Sequence, residues 1–276
     1  MPEDILSRIV ASKEAEVEAA RRRVAEKDLM ARARARRSYR SLSRRLAEPG
    51  KDGVNIVAEI KRRSPSKGVL RETLDAAEYA RLYQRGGAAG ISVLTDGPFF
   101  GGSLADLAAA RDACRLPVLR KDFIVSPYQI VESAAHGADA VLLIVRILDL
   151  ARLQEYLALC TRLRIEALVE VHTLADLATA TAADARLIGI NNRNLQSFDT
   201  DIGTAPAIAA RMGARQVPVA ASGIRSRLDV ERNLRACIFN FLVGESLVLA
   251  EDPVAKLREL RGLDAPAGGR RQVLEC

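Results

Sequence analysis

Four side chains in this sequence have the types and settings that general acid and base chemistry requires. Glu59-Ile60-Lys61 places a carboxylate and an ammonium two residues apart, on one face if the segment is a strand. Lys121 lies in Leu119-Arg120-Lys121-Asp122-Phe123, and Glu170 stands between Val169 and Val171. Arginine far outnumbers lysine, and the lysines are Lys13, Lys27, Lys51, Lys61, Lys67, Lys121 and Lys256. Lysine kept at an inward-facing position suits proton transfer, because it releases a proton in a useful pH range and arginine does not. That singles out Lys61 and Lys121. Polar partners follow in Asn191-Asn192-Arg193-Asn194, while Ser222-Gly223-Ile224 and Gly244-Glu245-Ser246-Leu247 offer unhindered backbone N–H groups, and the second opens a short helix whose N-terminus favours an anion.

Each feature also has a plainer reading. Glu59 with Lys61 would serve as a structural ion pair, Glu170 would serve as the partner of an arginine, and Lys121 would serve as a solvated strand end. Convergence weakens these readings, since charges gathered in one place are costly unless paired with one another or with a ligand.

Bringing these residues together requires a repeated scaffold. Short β-rich runs occur at Val54 to Ile60, Gly90 to Leu94, Leu116 to Leu119, Ala140 to Val145, Ala167 to Val171, Leu187 to Ile190, Val217 to Ala220 and Ile238 to Val243. Segments long enough for crossover helices separate them and no hairpin signal intervenes, which predicts parallel strands. The expected fold is α/β, a (βα)8 TIM barrel with an N-terminal helical extension, in which chemistry gathers at the C-terminal ends of the strands. A doubly wound open sheet is the alternative, but the glycine-rich dinucleotide turn is missing after the first strand.

Ahead of the barrel, Ile5 to Val24 has apolar residues at helical spacing and a second helical piece runs from Leu29 to about Leu46. The expected organisation is an extension over 1–53 packing on the barrel mouth, a barrel over 54–263, and a loose polar tail over 264–276.

Composition limits what else the chain does. Its 276 residues leave no room for a second enzyme domain, and an apolar fraction of 49% with 28% charged residues is ordinary globular usage. The net charge of +7 is spread among interleaved acids, apart from Arg21-Arg22-Arg23 and the run from Arg32 to Arg45, so a solvated helical face is expected rather than nucleic-acid binding. No run is long and apolar enough for a membrane span, and Met1-Pro2-Glu3-Asp4 lacks the basic start of a secretory signal. A cytoplasmic protein is expected. The four cysteines are widely separated with no C-x-x-C pair and the histidines are His136 and His172 alone, so neither a disulfide nor a metal site is expected.

Taken in order, several stretches resemble the indole-3-glycerol-phosphate synthase family. Val57-Ala58-Glu59-Ile60-Lys61-Arg62-Arg63-Ser64-Pro65-Ser66-Lys67-Gly68 is similar to that family's first-strand signature. Ser92 to Asp96 with Phe99 to Ser103, Pro117 to Ile124, Leu168 to His172 and Ile188 to Leu195 agree in the same order. The resemblance implies a tryptophan-biosynthesis lyase, a carboxy-lyase that converts 1-(2-carboxyphenylamino)-1-deoxyribulose 5-phosphate into indole-3-glycerol phosphate, carbon dioxide and water without a cofactor. It implies Lys121 as general acid, Glu170 as the carboxylate assisting proton removal, and Glu59 with Lys61 in dehydration. Asn191 and Ser222 would be polar substrate contacts, Arg193 and Ser64 anion contacts, and Gly223, Gly244 and Glu245 the phosphate turn. A general acid must hold a proton yet give it up, which burial or a neighbouring cation promotes, and Lys61 and Arg120 are candidate neighbours for Lys121. Phe100 and Phe123 would hold the substrate ring, with Leu142 as an apolar wall and the first helix as a lid.

The match departs from the family at Ala221, where a glutamate usually precedes Ser-Gly-Ile, and at Cys237-Ile238-Phe239-Asn240-Phe241, where small residues are common. The expected partner is a small phosphorylated molecule, with no nucleic acid, no membrane, and a monomer or weak homodimer. Three alternatives stand beside the synthase: a non-catalytic or weakly active paralogue binding the same ligand, a related phosphate-binding barrel such as phosphoribosylanthranilate isomerase, and RNA binding through Arg21 to Arg45.

Overall fold

The computed structural model describes residues 5–36, 38–194 and 199–263. Eight strands, Asn55–Ile60 (β1), Gly90–Leu94 (β2), Val118–Lys121 (β3), Ala140–Ile144 (β4), Glu166–Val171 (β5), Leu187–Asn191 (β6), Val217–Ala221 (β7) and Asn240–Val243 (β8), form a closed barrel. Every neighbouring pair is parallel, and β1 closes the circle by pairing with both β2 and β8. The chain is therefore the expected (βα)8 barrel.

The strands are almost continuously apolar because both faces are covered. Alternation sorts the side chains. Ile56, Ala58, Val141, Leu143, Val169 and Ile188 pack outward with the helices, whereas Val57, Leu119, Leu142, Leu168, Val219 and Leu242 fill the interior. The helices after the strands start where a short polar side chain accepts a backbone N–H of the first turn, as at Asp75, Ser103, Ser126, Asp149, Thr173, Ser226 and Asp252. Each such cap contributes about 1 kcal/mol.

Three elements depart from the sequence expectations. The second helical piece is not continuous: it forms Glu26–Ala35 (α2) and Leu42–Leu46 (α3). The backbone turns extended at Arg36, and Arg36, Arg40, Ser41 and Ser43 are held by acids at the starts of β4 and β5, Asp139 buried and Glu166 half-buried. Arg36 pairs with Asp139, to which the Arg40 N–H also donates, and Ser41 Oγ, Ser43 Oγ and the Ser43 N–H donate to Glu166. β3 runs two residues further than expected and includes Lys121. A short antiparallel pair, Arg63–Ser64 with Gly68–Val69, also follows β1.

The extension reaches both ends of the barrel. Leu6 and Ile9 of the first helix, Ile5–Arg23 (α1), join the interior cluster from the mouth. Leu42 and Leu46 of α3 join it from below, where Leu46 O accepts from Asn240 Nδ2 at the start of β8. α2 packs on the helix Pro127–Ala135 between these ends. No described helix is long and apolar enough to cross a membrane. Cys114 and Cys160 are buried free thiols. The expected tail over 264–276 lies outside the described residues.

Candidate active site

The same alternation that fills the barrel carries the polar residues to its mouth. Inward positions at the strand ends present Glu59 on β1, Leu94 on β2, Lys121 on β3, Ile144 on β4, Glu170 on β5, Asn191 on β6 and Ala221 on β7, all lining one cavity. Lys61, Ser64, Phe100, Phe123, Arg193, Ser222, Gly223, Gly244 and Glu245 line it as well. Among the residues proposed from the sequence, Leu142 is the exception. It faces inward but lies a full pleat below the mouth in the interior cluster, and Ile144, two residues on, forms the wall.

Two ion pairs organise the floor. Lys61 Nζ lies 2.9 Å from Glu59 Oε1. Lys121 Nζ lies 3.5 Å from Glu170 Oε2, whose other oxygen accepts from Asn191 Nδ2 at 3.2 Å and lies 3.6 Å from His172 Nε2. Burial alone would raise the Glu170 carboxyl, but Lys121, His172 and Asn191 together hold it below the usual carboxylate range. Burial pushes the His172 imidazole below its ordinary value, with Glu170 pulling the other way. The expected neighbour Arg120 is a correction. Adjacent strand residues face opposite ways, so Arg120 points into the helix layer and bonds Asp122, Glu132 and Thr95.

At the opposite rim the backbone turns sharply. Ser222 and Gly223 both adopt positive φ, 67° and 80°, and a Cβ on Gly223 would sit 2.7 Å from Thr200 Cγ2. Gly244 lets the backbone approach β1 closely: a Cβ there would come within 2.5 Å of Glu59 Oε1 and would displace that carboxylate. Arg193 spans this rim, donating to Ser66 Oγ at 3.0 Å and lying 3.6 Å from Glu245 Oε2. The Ser64 hydroxyl is buried with no hydrogen-bond partner among the described residues. A buried donor left open in a cavity that Arg193 also lines is a natural contact for an anionic oxygen.

An apolar slot completes the cavity. The rings of Phe100 and Phe123 lie 6.1 Å apart at 35°, close enough to hold a flat ring between them and Ile144. Ile5, Leu6 and Ile9 of α1 border the same space. Site residues missed in the sequence include Ile144 and Arg225, whereas the first helix was expected over the mouth; behind the cavity wall Arg62 grips Asp106 through two 2.7 Å bonds and so holds the segment after β1 to the helix Leu104–Ala113. No cluster of three metal-ligating side chains occurs among the described residues.

Comparison with known proteins agrees with this geometry. The family model described as indole-3-glycerol phosphate synthase matches residues 6–260. An indole-3-glycerol phosphate synthase of Desulfosudis oleivorans is 55% identical, covering 93% of this chain and 98% of the relative. One from Bordetella pertussis is 45% identical with the same coverage of 93% and 98%. Among solved structures, 3-hexulose-6-phosphate synthase from Salmonella typhimurium superposes with a TM-score of 0.61 at 14% identity, covering 76% of this chain and 98% of the other. Thiamine phosphate pyrophosphorylase from Pyrococcus furiosus gives 0.58 at 16% identity, covering 81% and 97%. At such identities the structural likeness speaks for the fold alone.

Proposed function

The chain belongs to the indole-3-glycerol phosphate synthase family, and from that premise we propose that its mouth closes the indole ring of 1-(2-carboxyphenylamino)-1-deoxyribulose 5-phosphate. The observation that carries this reading is the Lys121–Glu170–Asn191 set beside the Phe100–Phe123 slot, with an anion rim across the cavity. Phosphate would sit against Gly223, Gly244 and Glu245 with Arg193 and Ser64 as anion contacts, and the aromatic ring in the slot.

Held in this way, the ring carbon bearing the carboxylate attacks the sugar carbonyl while Lys121 donates a proton to the carbonyl oxygen. Loss of carbon dioxide restores aromaticity. The new hydroxyl then leaves as water as the adjacent carbon gives up a proton, with Glu170 assisting proton removal and the Glu59–Lys61 pair assisting departure of the hydroxyl. Atoms balance as one indole-3-glycerol phosphate, one carbon dioxide and one water. Asn191 steadies Glu170, and Ser222 offers a further polar contact. No step requires a cofactor.

Partners follow from the same geometry. A small phosphorylated substrate suits the cavity, and we propose that the chain acts as a cytoplasmic monomer or weak homodimer. The arginines of the extension support a structural role rather than nucleic-acid binding: Arg21 bonds Ser126, Arg36 pairs with Asp139, and Arg40 donates to the carbonyls of Arg111 and Leu116. The purified chain given the carboxyphenylamino-deoxyribulose phosphate should produce a rising indole fluorescence. A flat trace at saturating substrate would sink the proposal.

Ala221 supports a second reading, a weakly active or non-catalytic relative. It is buried on the inner face beside Asn191 in register, so the carboxylate usual in this family is missing from the wall. A lost acceptor and charge of about 1.5 to 3 kcal/mol corresponds to one or two powers of ten in rate. Ala221→Glu should therefore raise kcat/KM about ten- to a hundredfold, and steady-state kinetics giving an unchanged value would exclude that account of the wall.

A further inference from the structure

α1 presents an apolar stripe of buried residues, Leu6, Ile9 and Val17, and in line with them a lysine, Lys13. Its side chain is 1% exposed. On an amphipathic helix a lysine belongs to the solvated face, and a buried ammonium is costly unless it is met by opposite charge. Lys13 is met by three carboxylates: Asp96 Oδ2 at 3.0 Å, Asp122 Oδ1 at 3.0 Å and Glu16 Oε2 at 2.9 Å.

Two of these acids belong to the mouth. Asp96 follows β2 and caps the helix Gly97–Phe100, accepting the N–H groups of Phe99 and Phe100 through Oδ1 while Oδ2 meets Lys13. Asp122 follows β3 directly. Its Oδ1 accepts the Phe123 N–H at 2.8 Å and meets Lys13, and its Oδ2 is taken by Arg120 and the Thr95 hydroxyl. One ammonium thus ties α1 to the two carboxylates that hold the backbone of both slot phenylalanines.

We infer that Lys13 is a positioning residue, a buried lock that fixes α1 across the mouth and sets the aromatic slot beneath it. This rests on the reading of the mouth as the synthase site. The lever makes the effect large. With α1 held at Arg21, Lys13 lies about 12 Å and Ile5 about 24 Å along the helix from that hold at 1.5 Å per residue, so once the lock is gone a tilt of roughly 5° carries Ile5 about 2 Å from the cavity. A shift of this size opens the apolar cover that Ile5 and Ile9 give the cavity, so the loss falls on substrate binding rather than on the chemical step. The rear of α1 has its own hold: Arg21 bonds Ser126 Oγ at 2.9 Å and lies over the Tyr128 ring. Without Lys13 the helix stays attached at this end and swings at the other.

The test is Lys13→Met, which keeps the length of the side chain and removes its charge. In the full chain KM should rise at least tenfold with kcat within about threefold, because the substrate loses its cover while the reacting groups remain in place. Amide hydrogen exchange over residues 5–12 without substrate should accelerate tenfold or more. General loss of folded protein has a different signature, a lower apparent kcat at unchanged KM. Should the single variant fail to fold because Asp96 is left buried and unpaired, Lys13→Met with Asp96→Asn removes the charge on both sides. Asparagine retains the cap, Asp122 keeps Arg120, and the same changes are expected. A KM within twofold of the parent, unchanged exchange over 5–12, or failure of both variants to fold overturns the inference. If the parent chain forms no product, the reading of the site fails, while the exchange measurement still decides the lock.

Discussion

Lys121→Met should lower kcat/KM by on the order of a thousandfold, the largest effect expected of any single substitution in this chain. The side chain leaves the end of β3 on the inner face and reaches Glu170 across the floor. Methionine preserves the unbranched stem and its packing but has no proton to give to the carbonyl oxygen as the ring closes. A thousandfold loss corresponds to about 4 kcal/mol of transition-state stabilisation, within the range of a positioned general acid. Glu170 retains Asn191 and His172 around it, so the variant should fold and bind substrate. The loss should therefore appear in kcat, followed as initial rates of indole fluorescence. A reduction of less than tenfold would remove Lys121 from the role of acid.

How far the sequence foretells such a residue depends on which property is read. Alternation states parity, and parity places Glu59, Glu170 and Asn191 on the inner wall, as the structure has them. The same rule puts Arg120 on the outer face, where it joins Glu132 of the covering helix, so its nomination as a neighbour of Lys121 set adjacency in sequence above parity. Depth is a different matter. Leu142 and Ile144 share a face, and only the stagger of β4 within the closed barrel decides which of them reaches the mouth. Stagger arises from pairing between distant strands, which a local pattern does not contain.

Lys13 marks the limit in another way. A lysine among glutamates on a helix reads as solvent-facing, and its partners Asp96 and Asp122 belong to loops of β2 and β3 far along the chain. The break between α2 and α3 has the same origin, since the acids that draw out the link, Asp139 and Glu166, come from β4 and β5. The strands were legible because their apolar runs are local. Buried charge was not, because what makes it tolerable is a partner brought by the fold.

Glu170→Gln tests that partnership directly and should lower kcat/KM by about a hundredfold or more. Glutamine has the shape of glutamate but not its symmetry. Glu170 presents one oxygen to Lys121 and the other to Asn191 Nδ2, whereas glutamine offers one oxygen and an NH2, so one of these donors is left facing another donor. The carboxylate also carries a pH signature. Its folded value lies below its ordinary one, so the ion adds stability that is fully present above the unfolded value, about 4.3, and is lost as pH falls through the lower folded value. Between pH 5 and 8 the Glu170 carboxyl stays ionised and should place no acid limb on the rate. Glutamine cannot be protonated in this way, so the variant should be less stable than the parent at pH 7 and lose less of its stability between pH 5 and 3. Thermal unfolding across that range checks the sign. Equal slopes for parent and variant would mean that Glu170 is not held as a stabilised anion, and the base at the floor of this barrel would have to be sought elsewhere.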